Sequence, residues 1–302
     1  MITNNIQIVK QDEFGKDLDD KAILEDSKFD VSQVTLKISK VAGMSELDIQ
    51  KLFEIFNKFK FVILECEPLP NTQENLLALK KFFGSVVRHK RSDENGIVAV
   101  ENLSNQGVAQ AFMSANNKEL TMHTDGTFEI KPAKVVALQC EVPSQNGGLS
   151  KIVYAESVYE YLRENHSQEL QSLFTNPLTI TRTGQTPVTR AIFVEQESRI
   201  SMTFRSLLAD STISILIPPH LENIYNIIKN YVNNPENQLS FKLKAHQILL
   251  LDNASLLHGR TSFPDNEFRK LNRLSFDGIS EYSDHIQFGF IPKSKLLVCG
   301  QN

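Results

Sequence analysis

Apolar residues in the first third of the chain recur with the spacing of a strand, a helix and a second strand. Residues 34–38 alternate between apolar and polar side chains, the two-residue period of a strand with one buried face. Ser45, followed three residues later by Asp48, resembles a capping box with the shorter acid. The apolar positions after it have helical spacing: Ile49, Leu52, Phe53, Phe56 and Phe59. The pattern predicts an amphipathic helix packed on a sheet, followed by a short buried strand over residues 61–64.

The rest of the chain consists of short apolar segments separated by turn residues. Thr72 is expected to cap a second helix that ends at Gly84, and the polar segment 102–118 is a candidate substrate loop or lid. Further helices are predicted over residues 157–164 and 221–232. One strand is predicted to begin at residue 97. The other strands are predicted over residues 6–9, 135–138, 149–154, 178–183, 191–194, 200–204, 247–251, 273–276 and 286–290. Many short strands with few helices predict a mainly β fold with flanking helices and a closed or double-sheet jelly-roll core.

Length and composition are those of one globular domain. The chain has 302 residues, of which 41% are hydrophobic and 23% charged, close to ordinary globular usage. No internal repeat or Pro/Gly-rich linker marks a boundary. We therefore predict a single domain over residues 1–302, with a helical and strand elaboration at about residues 1–95 and a jelly-roll core at about residues 96–302.

Net charge, cysteine spacing and the N-terminal sequence indicate which partners and which cellular compartment to expect. The net charge is −4, the pI is about 6.0 and no long run of Lys or Arg occurs, so neither nucleic acid nor an anionic membrane is an expected partner. Cys66, Cys140 and Cys299 are widely spaced, which argues against a disulfide framework or a structural zinc site. The N-terminus lacks the features of a signal peptide, and no apolar run reaches the ~18 residues of a membrane span. We expect a cytoplasmic monomer or small homo-oligomer that acts on a small molecule.

One polar stretch carries candidate metal ligands. On or just after a strand, His123 and Asp125 point to the same face and can bind one ion. Such a pair alone is weak evidence, because a chain with 7 His and 36 acidic residues can contain one by chance. The expected third ligand is His258, in an apolar run that begins at Ile248 and ends in a polar turn. Two histidines and one carboxylate on one face, with other positions open, are the ligand set of non-haem Fe(II) oxygenases.

These motifs stand in an order that resembles a known family. The chain carries His-x-Asp at 123–125, Gly-Gly-x-Ser at 147–150, Asn followed by His-Gly-Arg within 253–260, and Arg-x-x-x-Arg at 269–273. Their order and spacing resemble the taurine dioxygenase/clavaminate synthase group of Fe(II)- and 2-oxoglutarate-dependent oxygenases, over nearly the whole chain. The resemblance implies a cupin-like double-stranded β-helix whose two sheets enclose Fe(II), with 2-oxoglutarate and O2 as cosubstrates.

The resemblance also implies roles for individual residues. His123, Asp125 and His258 match the metal ligands of the family. Arg269, eleven positions after His258, matches the arginine that binds the distal carboxylate of 2-oxoglutarate, and a planar guanidinium suits that carboxylate. Ser150 falls where the family commonly has a threonine that assists this arginine. The alternative for Arg269 is a surface salt bridge.

Arg273 and Arg205 are the expected substrate contacts. Arg273 lies four residues after Arg269, an even separation that keeps both on one face of a continuous strand. In the resembling family this position commonly meets the acidic group of the primary substrate. The alternative for Arg273 is an ion pair with a protein carboxylate such as Asp277. Arg205 follows Phe204, and this Phe-Arg pair leans toward the clavaminate synthase-like branch, which includes hydroxylases of free amino acids.

Two other residues are candidates for the pocket, and one metal ligand differs from the residue that the resembling branch often has. Asp210 and Gln139 are further candidates to approach the pocket. The clavaminate synthase-like branch often has Glu where this chain has Asp125. The remaining histidines are expected to be structural or at the surface: His89, His166, His220, His246 and His285.

The implied function is hydroxylation, desaturation or cyclisation at an unactivated C–H bond, with release of succinate and CO2. The expected substrate is a small carboxylate-bearing molecule, an amino acid or a derivative. One alternative is a catalytically silent jelly-roll protein that binds a small molecule. Another is a family member that acts on a sulfonate, a betaine or a carrier-bound acid. Hydrolytic zinc chemistry is disfavoured, because the chain has no His-Glu-x-x-His motif.

Overall fold

The computed structural model describes residues 29–102, 115–206 and 212–295. Fifteen strands in these residues form two large and two small sheets. They are β1 (Thr35–Ile38), β2 (Phe61–Cys66), β3 (Val98–Glu101), β4 (Leu120–His123), β5 (Val135–Val142), β6 (Ser150–Tyr154), β7 (Leu178–Arg182), β8 (Val188–Arg190), β9 (Phe193–Gln196), β10 (Arg199–Met202), β11 (Ile213–Leu216), β12 (Leu239–Phe241), β13 (Gln247–Asp252), β14 (Leu256–Arg260) and β15 (Lys270–Phe276).

Seven α-helices lie within the same part of the chain. They are α1 (Glu46–Phe59), α2 (Glu74–Ala78), α3 (Lys80–Phe83), α4 (Ala155–Asn165), α5 (Ser167–Leu170), α6 (Ser172–Thr175) and α7 (Glu222–Asn233). Short 3-10 turns occur at Val31–Val34, Val41–Gly43, Pro219–Leu221, Pro235–Asn237 and Ser283–His285. None of the helices described is long and apolar enough to cross a membrane.

Two sheets face each other across a hydrophobic core. The larger has the order β1-β2-β13-β5-β15-β3 and the smaller the order β12-β6-β14-β4. Phe61 of β2 stacks on Phe241 of β12, with ring centroids 5.9 Å apart, so the core joins the two sheets directly. Small sheets β10-β9 and β11-β7-β8 lie outside this pair. The mainly β, jelly-roll fold with flanking helices is confirmed.

Helices cover the outer faces of both large sheets, which explains the uninterrupted apolar run in β13. Ile248 and Leu250 belong to the cluster formed with α1, α2 and α3, whereas Leu249 and Leu251 belong to the cluster between the sheets. A strand covered on both faces has no polar alternation. On the far side, α4 and α7 pack on the four-stranded sheet.

The first predicted helix is confirmed and the second is partly wrong. Ser45 caps α1 through its hydroxyl, and the Asp48 carboxylate accepts from the Ser45 backbone N–H, which completes the capping box. Thr72 caps no helix, because its hydroxyl hydrogen-bonds Glu141 at 3.4 Å. The helix begins at Glu74 and is interrupted at Leu79, and it does end at Gly84, whose φ of +90° stops it.

Strand predictions are confirmed in most of the β core and fail near its C-terminal end. Residues 286–290 form no strand, because Phe290 makes only an isolated bridge to Ile200 and Ile286 packs against the helical cluster. The polar turn predicted at the end of the apolar run that begins at Ile248 lies within that run, at residues 253–255, so His258 itself is in a strand. Strands β8, β11 and β12 were not predicted, and the strand predicted at 6–9 lies outside the described residues.

The predicted division of the chain into an elaboration and a core stays a prediction. Strands β1 and β2, from the proposed elaboration, pair with each other, and β2 pairs with β13 of the proposed core. The six-stranded sheet is therefore assembled from both segments. Both described cysteines, Cys66 and Cys140, are buried and free, and Cys299 lies outside the described residues.

Candidate metal centre

The three predicted metal ligands meet on the four-stranded sheet. His123 is the last residue of β4, His258 pairs with it from β14, and Asp125 follows two residues after His123. The two imidazole centroids are 4.5 Å apart. Each of the three buried side chains offers one ligand atom, and these atoms lie within 4.8 Å of one another. Strand pairing thus brings together three residues that are separated by 135 positions in sequence, counted from His123 to His258.

A backbone carbonyl fixes which nitrogen of His123 faces the other ligands. Nδ1 of His123 lies 2.8 Å from the carbonyl oxygen of Thr121, so Nδ1 carries the proton and donates it. The lone pair is then on Nε2, which is 3.3 Å from Oδ1 of Asp125. Nε2 of His258 is 3.9 Å from the same oxygen. Three potential ligand atoms therefore converge on one point.

Burial keeps the histidines neutral, and neighbouring groups keep the carboxylate ionised. Burial and the charge of Arg205 lower the pKa of His123, while burial and His123 lower the pKa of His258 to about 3. Burial alone would raise the pKa of Asp125, but Arg273 and the two histidines hold it well below its usual range. Metal ions bind these deprotonated forms. Two neutral imidazoles and one carboxylate fit Fe(II) and leave positions for other ligands.

Asn253 fixes the backbone of the metal-ligand loop. Its Oδ1 accepts from the N–H of Asp125 at 2.7 Å, and its Nδ2 donates to the carbonyl oxygens of Asp125 at 3.0 Å and Ala133 at 2.9 Å. Asn253 is buried in the turn between β13 and β14. The same turn that leads to His258 therefore positions Asp125.

Asn253→Ala is expected to weaken both the fold and metal binding. It leaves one N–H and two carbonyl oxygens buried without these partners, which lowers the free energy of unfolding by about 3 kcal/mol. Loss of a group that orients a ligand lowers metal affinity by about 10- to 100-fold. Urea denaturation and Mn(II) titration measure the two effects.

Asn272→Ala is the matched control for this prediction. Asn272 is equally buried, but its amide donates to Gln139 and Glu141, away from Asp125. It should lower stability and leave metal affinity unchanged. Unchanged metal affinity in Asn253→Ala would contradict the positioning role.

Arg269 occupies a niche that two glycines make. Gly147 and Gly148 have φ of +57° and +65°, the left-handed region that favours glycine. A Cβ on Gly148 would lie 3.0 Å from Cδ and Nε of Arg269, so a side chain there would press on the guanidinium. Cζ of Arg269 lies 5.8 Å from the ring centroid of Phe263. Burial lowers the pKa of Arg269 to about 10, which leaves it charged at neutral pH.

Ser150 and Arg260 line the same cavity as Arg269. Ser150 is the first residue of β6 and pairs with Arg260 of β14. Arg260 donates to the carbonyl oxygens of Asn116, at 2.8 Å, and Lys118. Burial and repulsion from Arg269 lower the pKa of Arg260 to about 9. The structure thus places Ser150 and Arg269 in one cavity. Their shared role in binding 2-oxoglutarate requires this placement, and the role stays a prediction.

Arg273 pairs with a metal ligand. Its Nη1 donates to Oδ2 of Asp125 at 2.9 Å. Asp277, the partner considered from the sequence, instead accepts from the backbone N–H groups of Ser85 and Ile279. Arg269 and Arg273 both face the cavity, as their even spacing predicted. Arg273 can therefore hold Asp125 and still border the substrate space.

Arg205 is held beside His123 by backbone pairing. The N–H of Thr124 donates to the carbonyl of Phe204 at 2.8 Å, and that of Ser206 to the carbonyl of Met122 at 3.0 Å. Nε of Arg205 donates to the hydroxyl of Thr127 at 3.1 Å. Its guanidinium lines the cavity, as predicted.

Arg182 and His89 are cavity residues that the sequence analysis missed. Arg182 ends β7 of the sheet β11-β7-β8, and its Cζ lies 4.5 Å from the ring centroid of Phe128. Nη1 of Arg182 is 3.1 Å from Nε2 of His89. His89 was expected to be structural or at the surface, yet it borders the cavity. No spacing motif connects these residues, because the small sheet reaches the site only through tertiary folding.

The other two candidates do not contribute described contacts to the site. Leu138 lines the cavity, so its strand neighbour Gln139 faces the opposite side, where it hydrogen-bonds Thr72 and Asn272. Asp210 lies outside the described residues, as does most of the predicted loop at 102–118.

Solved structures share this architecture. A complex of asparagine oxygenase with Fe(II), 2S,3S-3-hydroxyasparagine and succinate superimposes with a TM-score of 0.61 and 12% identity, covering 80% of this chain and 93% of the other. A complex of AAD-2 with Mn(II) and N-oxalylglycine has a TM-score of 0.60 and 15% identity, covering 82% and 96%. At these identities the similarity supports the fold.

Sequence comparison supports the family. Human γ-butyrobetaine dioxygenase is 25% identical over 156 residues, which are 48% of this chain and 40% of the human enzyme. The chain thus matches less than half the length of this relative. Residues 23–275 match the family profile described as taurine catabolism dioxygenase TauD, TfdA family, and this match includes all three candidate ligands. With most of its length matched, the chain belongs to the TauD/TfdA dioxygenase family.

Proposed function

We propose that this protein is a non-haem Fe(II)- and 2-oxoglutarate-dependent oxygenase that hydroxylates an unactivated C–H bond of a small carboxylate-bearing substrate. The observation that carries this proposal is the convergence of His123, Asp125 and His258 in one cavity with Arg269. A silent binding protein needs neither three deprotonated ligands nor the buried arginine beside them. That alternative is therefore disfavoured.

The ligand residues hold the metal on one face. When bound, Fe(II) and 2-oxoglutarate supply oxidation of a C–H bond by O2, with release of succinate and CO2. Thr121 keeps Nε2 of His123 directed at the site. Arg273 binds Oδ2 of Asp125, which leaves Oδ1 facing both histidines. Asn253 fixes the loop that carries Asp125.

The remaining polar residues of the cavity orient the two organic reactants. Arg269, with Ser150 nearby, binds the distal carboxylate of 2-oxoglutarate through a charge-assisted pair. Arg273 and Arg205 bind the acidic group of the substrate. Leu138 and Leu271 add apolar side chains to the cavity lining, which helps to exclude water from the reacting bond.

An amino acid or amino-acid derivative is the substrate class that these residues favour. Asparagine oxygenase, by its name, acts on an amino acid, and asparagine carries a carboxylate. Desaturation or cyclisation of the same substrate would use the same residues. A sulfonate, a betaine or a carrier-bound acid is the alternative within this family. We further propose a cytoplasmic monomer or small homo-oligomer without nucleic-acid or membrane partners.

Formation of succinate from 2-oxoglutarate tests the proposed function. The assay contains Fe(II), ascorbate and air, and it screens free amino acids and related acids. Succinate formation should require Fe(II) and should rise when a suitable acid is present. Absence of Fe(II)-dependent succinate with every acid and without one would contradict the proposal.

Arg273→Lys is expected to weaken substrate binding and uncouple the reaction. Lysine keeps the positive charge beside Asp125 but not the planar fork, so substrate KM should rise by about 10-fold and more succinate should form per product. The 2-oxoglutarate requirement should stay unchanged. The ratio of succinate to product, measured with the best acid from the screen, is the readout. A lower thermal stability with an unchanged ratio and KM would assign Arg273 a structural role only.

A further inference from the structure

Asp252 is a buried carboxylate that has no part in the proposed mechanism. It is the last residue of β13, and its exposed fraction is 0%. Its Oδ1 accepts a hydrogen bond from the N–H of Ala254 at 2.9 Å, and its Oδ2 accepts from the hydroxyl of Ser255 and, at 3.0 Å, from the N–H of Gly289. All three partners are donors, as the oxygens of an ionised carboxylate require. Asp252 therefore connects the turn at residues 253–255 to a segment near residue 289.

The hydrogen bonds of Asp252 close the turn on both sides of Asn253. The carbonyl oxygen of Asp252 accepts from the N–H of Ser255 at 3.2 Å, while its carboxylate accepts from the N–H of Ala254. The side chain of Asn253 hydrogen-bonds the N–H and the carbonyl oxygen of Asp125. The orientation of the turn therefore determines where the loop that carries Asp125 lies.

Residues 285–290, here called the C-terminal strap, are held by two basic side chains. Nζ of Lys60 donates to the carbonyl oxygen of Gln287 at 2.7 Å. Nε and Nη2 of Arg199 donate to two further carbonyl oxygens of the strap, both at 2.7 Å. Lys60 also accepts the backbone N–H of Asp252 at its own carbonyl oxygen, at 2.8 Å. The strap and the end of β13 are thus fixed to the same residue.

Strand β10 packs against both the strap and the turn. Phe290 is buried and exchanges two backbone hydrogen bonds with Ile200, at 2.8 and 2.9 Å. Gly289 has a φ of +73°, and a Cβ there would lie 2.6 Å from the carbonyl oxygen of Ile200. The N–H of Met202 donates to the carbonyl oxygen of Ala254 at 2.9 Å. The strap is therefore a closely packed support on which the turn can be fixed.

The charge of Asp252 is maintained by its surroundings at a cost to stability. Burial raises the pKa of Asp252, and the hydrogen bond from Ser255 and the charge of Lys60 oppose this rise. A buried carboxylate destabilises a fold unless donors and a counter-ion compensate it. Here the donors come from two segments that are distant in sequence, so the same bonds that compensate the charge hold the two segments together.

We propose that Asp252 is a positioning residue of the metal centre: by fixing the turn at residues 253–255 to the C-terminal strap, it holds Asn253 in the orientation that directs Asp125 toward the two histidines. This inference rests on the metal centre of the proposed function. In the part of the chain that the structure describes, Asp252 hydrogen-bonds no metal ligand, so its effect on the site passes through Asn253.

Asp252→Asn tests this inference, because it replaces one acceptor oxygen by an NH2 group of similar size. The metal-free protein should fold with a lower urea midpoint. The Mn(II) dissociation constant should rise about 3- to 10-fold, less than the about 10- to 100-fold expected when a group that touches a ligand is lost. The N–H of Asp125, which donates to Asn253, should exchange with solvent at least about 10-fold faster in NMR measurements on the metal-free protein.

A double-mutant cycle tests the route through Asn253. Once Asn253→Ala has removed the side chain that contacts the Asp125 loop, adding Asp252→Asn should not weaken Mn(II) binding further, because residues that act through one another have non-additive effects. Ser255→Ala is a milder second variant that removes one donor to Asp252. It should change both the dissociation constant and the amide exchange in the same direction as Asp252→Asn, by at least about 2-fold.

Asp277→Asn is the matched control. The carboxylate of Asp277 also accepts from two backbone N–H groups, those of Ser85 and Ile279, but it makes no described hydrogen bond to the turn or the strap. This variant should lower the urea midpoint and leave Mn(II) affinity and the exchange of the Asp125 N–H unchanged.

Four results would count against the inference. Parental Mn(II) affinity and amide exchange in Asp252→Asn, or in Ser255→Ala if Asp252→Asn does not fold, overturn it and leave the metal centre standing. Additive losses in the double variant exclude the route through Asn253. Equal losses in Asp277→Asn show that lower stability alone weakens the site. A parent protein that does not bind Mn(II) contradicts the proposed function itself.

Discussion

His258→Ala is expected to abolish Fe(II) binding and turnover while the metal-free fold persists. His258 supplies one of three converging ligand atoms, from a buried position in β14. Removing a group that only orients a ligand lowers metal affinity by about 10- to 100-fold. Removing the ligand itself should lower the affinity by more than this. The metal-free protein should lose only about 1–2 kcal/mol of unfolding free energy, because the imidazole is neutral and the site keeps its backbone pairing.

Anaerobic Mn(II) or Fe(II) titration, succinate formation and urea denaturation separate these effects. His220→Ala is the control, because His220 is exposed and lies in the Pro219–Leu221 turn before α7. It should change none of the three measurements. Full metal affinity in His258→Ala would remove His258 from the ligand set, and unfolding of the metal-free variant would show a structural role instead.

The parts of the fold that the sequence predicted are those in which local pattern and tertiary packing agree. The capping box of α1 and its apolar face are both local signals, and the helix forms where they coincide. In β13 the unbroken apolar run follows from burial on both faces. The His-x-Asp spacing predicts that two ligands share a face, and the strand pairing of His123 with His258 supplies the third.

The failures arise where a side chain had a long-range partner that no local pattern reveals. Thr72 looks like a helix cap, but Glu141 engages its hydroxyl from another strand. Residues 286–290 alternate like a strand, yet beyond a single bridge their apolar side chains pack against helices. A strand is defined by pairing with a neighbour, and alternation alone does not provide one.

The cation-rich side of the cavity was the part of the site least accessible from sequence. Arg182 lies at the end of an ordinary alternating strand, and His89 lies in a segment without a motif. Neither residue has a fixed spacing to His123 or His258. Their positions follow from the way the sheet β11-β7-β8 packs over the site, which only the tertiary structure specifies. The spacing of Arg273 after Arg269 predicted that it faces the cavity, but no pattern in the sequence predicted its hydrogen bond to Asp125.

Arg269→Ala is expected to raise the 2-oxoglutarate requirement by about one and a half to three decades, because a charge-assisted bidentate pair is worth about 2–4 kcal/mol. Arg269 is buried and charged, and Gly148 and Phe263 hold it in place. Arg260 lines the same cavity, but it is engaged with the carbonyls of Asn116 and Lys118. The metal ligands do not contact Arg269 in any described hydrogen bond, so metal content should stay unchanged.

Titration of 2-oxoglutarate against succinate formation, with metal content measured on the same samples, tests this expectation. Arg269→Lys is the matched variant, since it keeps the charge and loses the fork, and its requirement should fall between those of Arg269→Ala and the parent. Gly148→Ala is a second variant in the same niche, because its Cβ would meet Oγ of Ser144 and, at 3.0 Å, Cδ and Nε of Arg269, at a φ of +65° that also strains the backbone. It should raise the 2-oxoglutarate requirement without removing any charge. A titration curve that is the same for Arg269→Ala and the parent would exclude Arg269 from cosubstrate binding and leave the metal assignment standing.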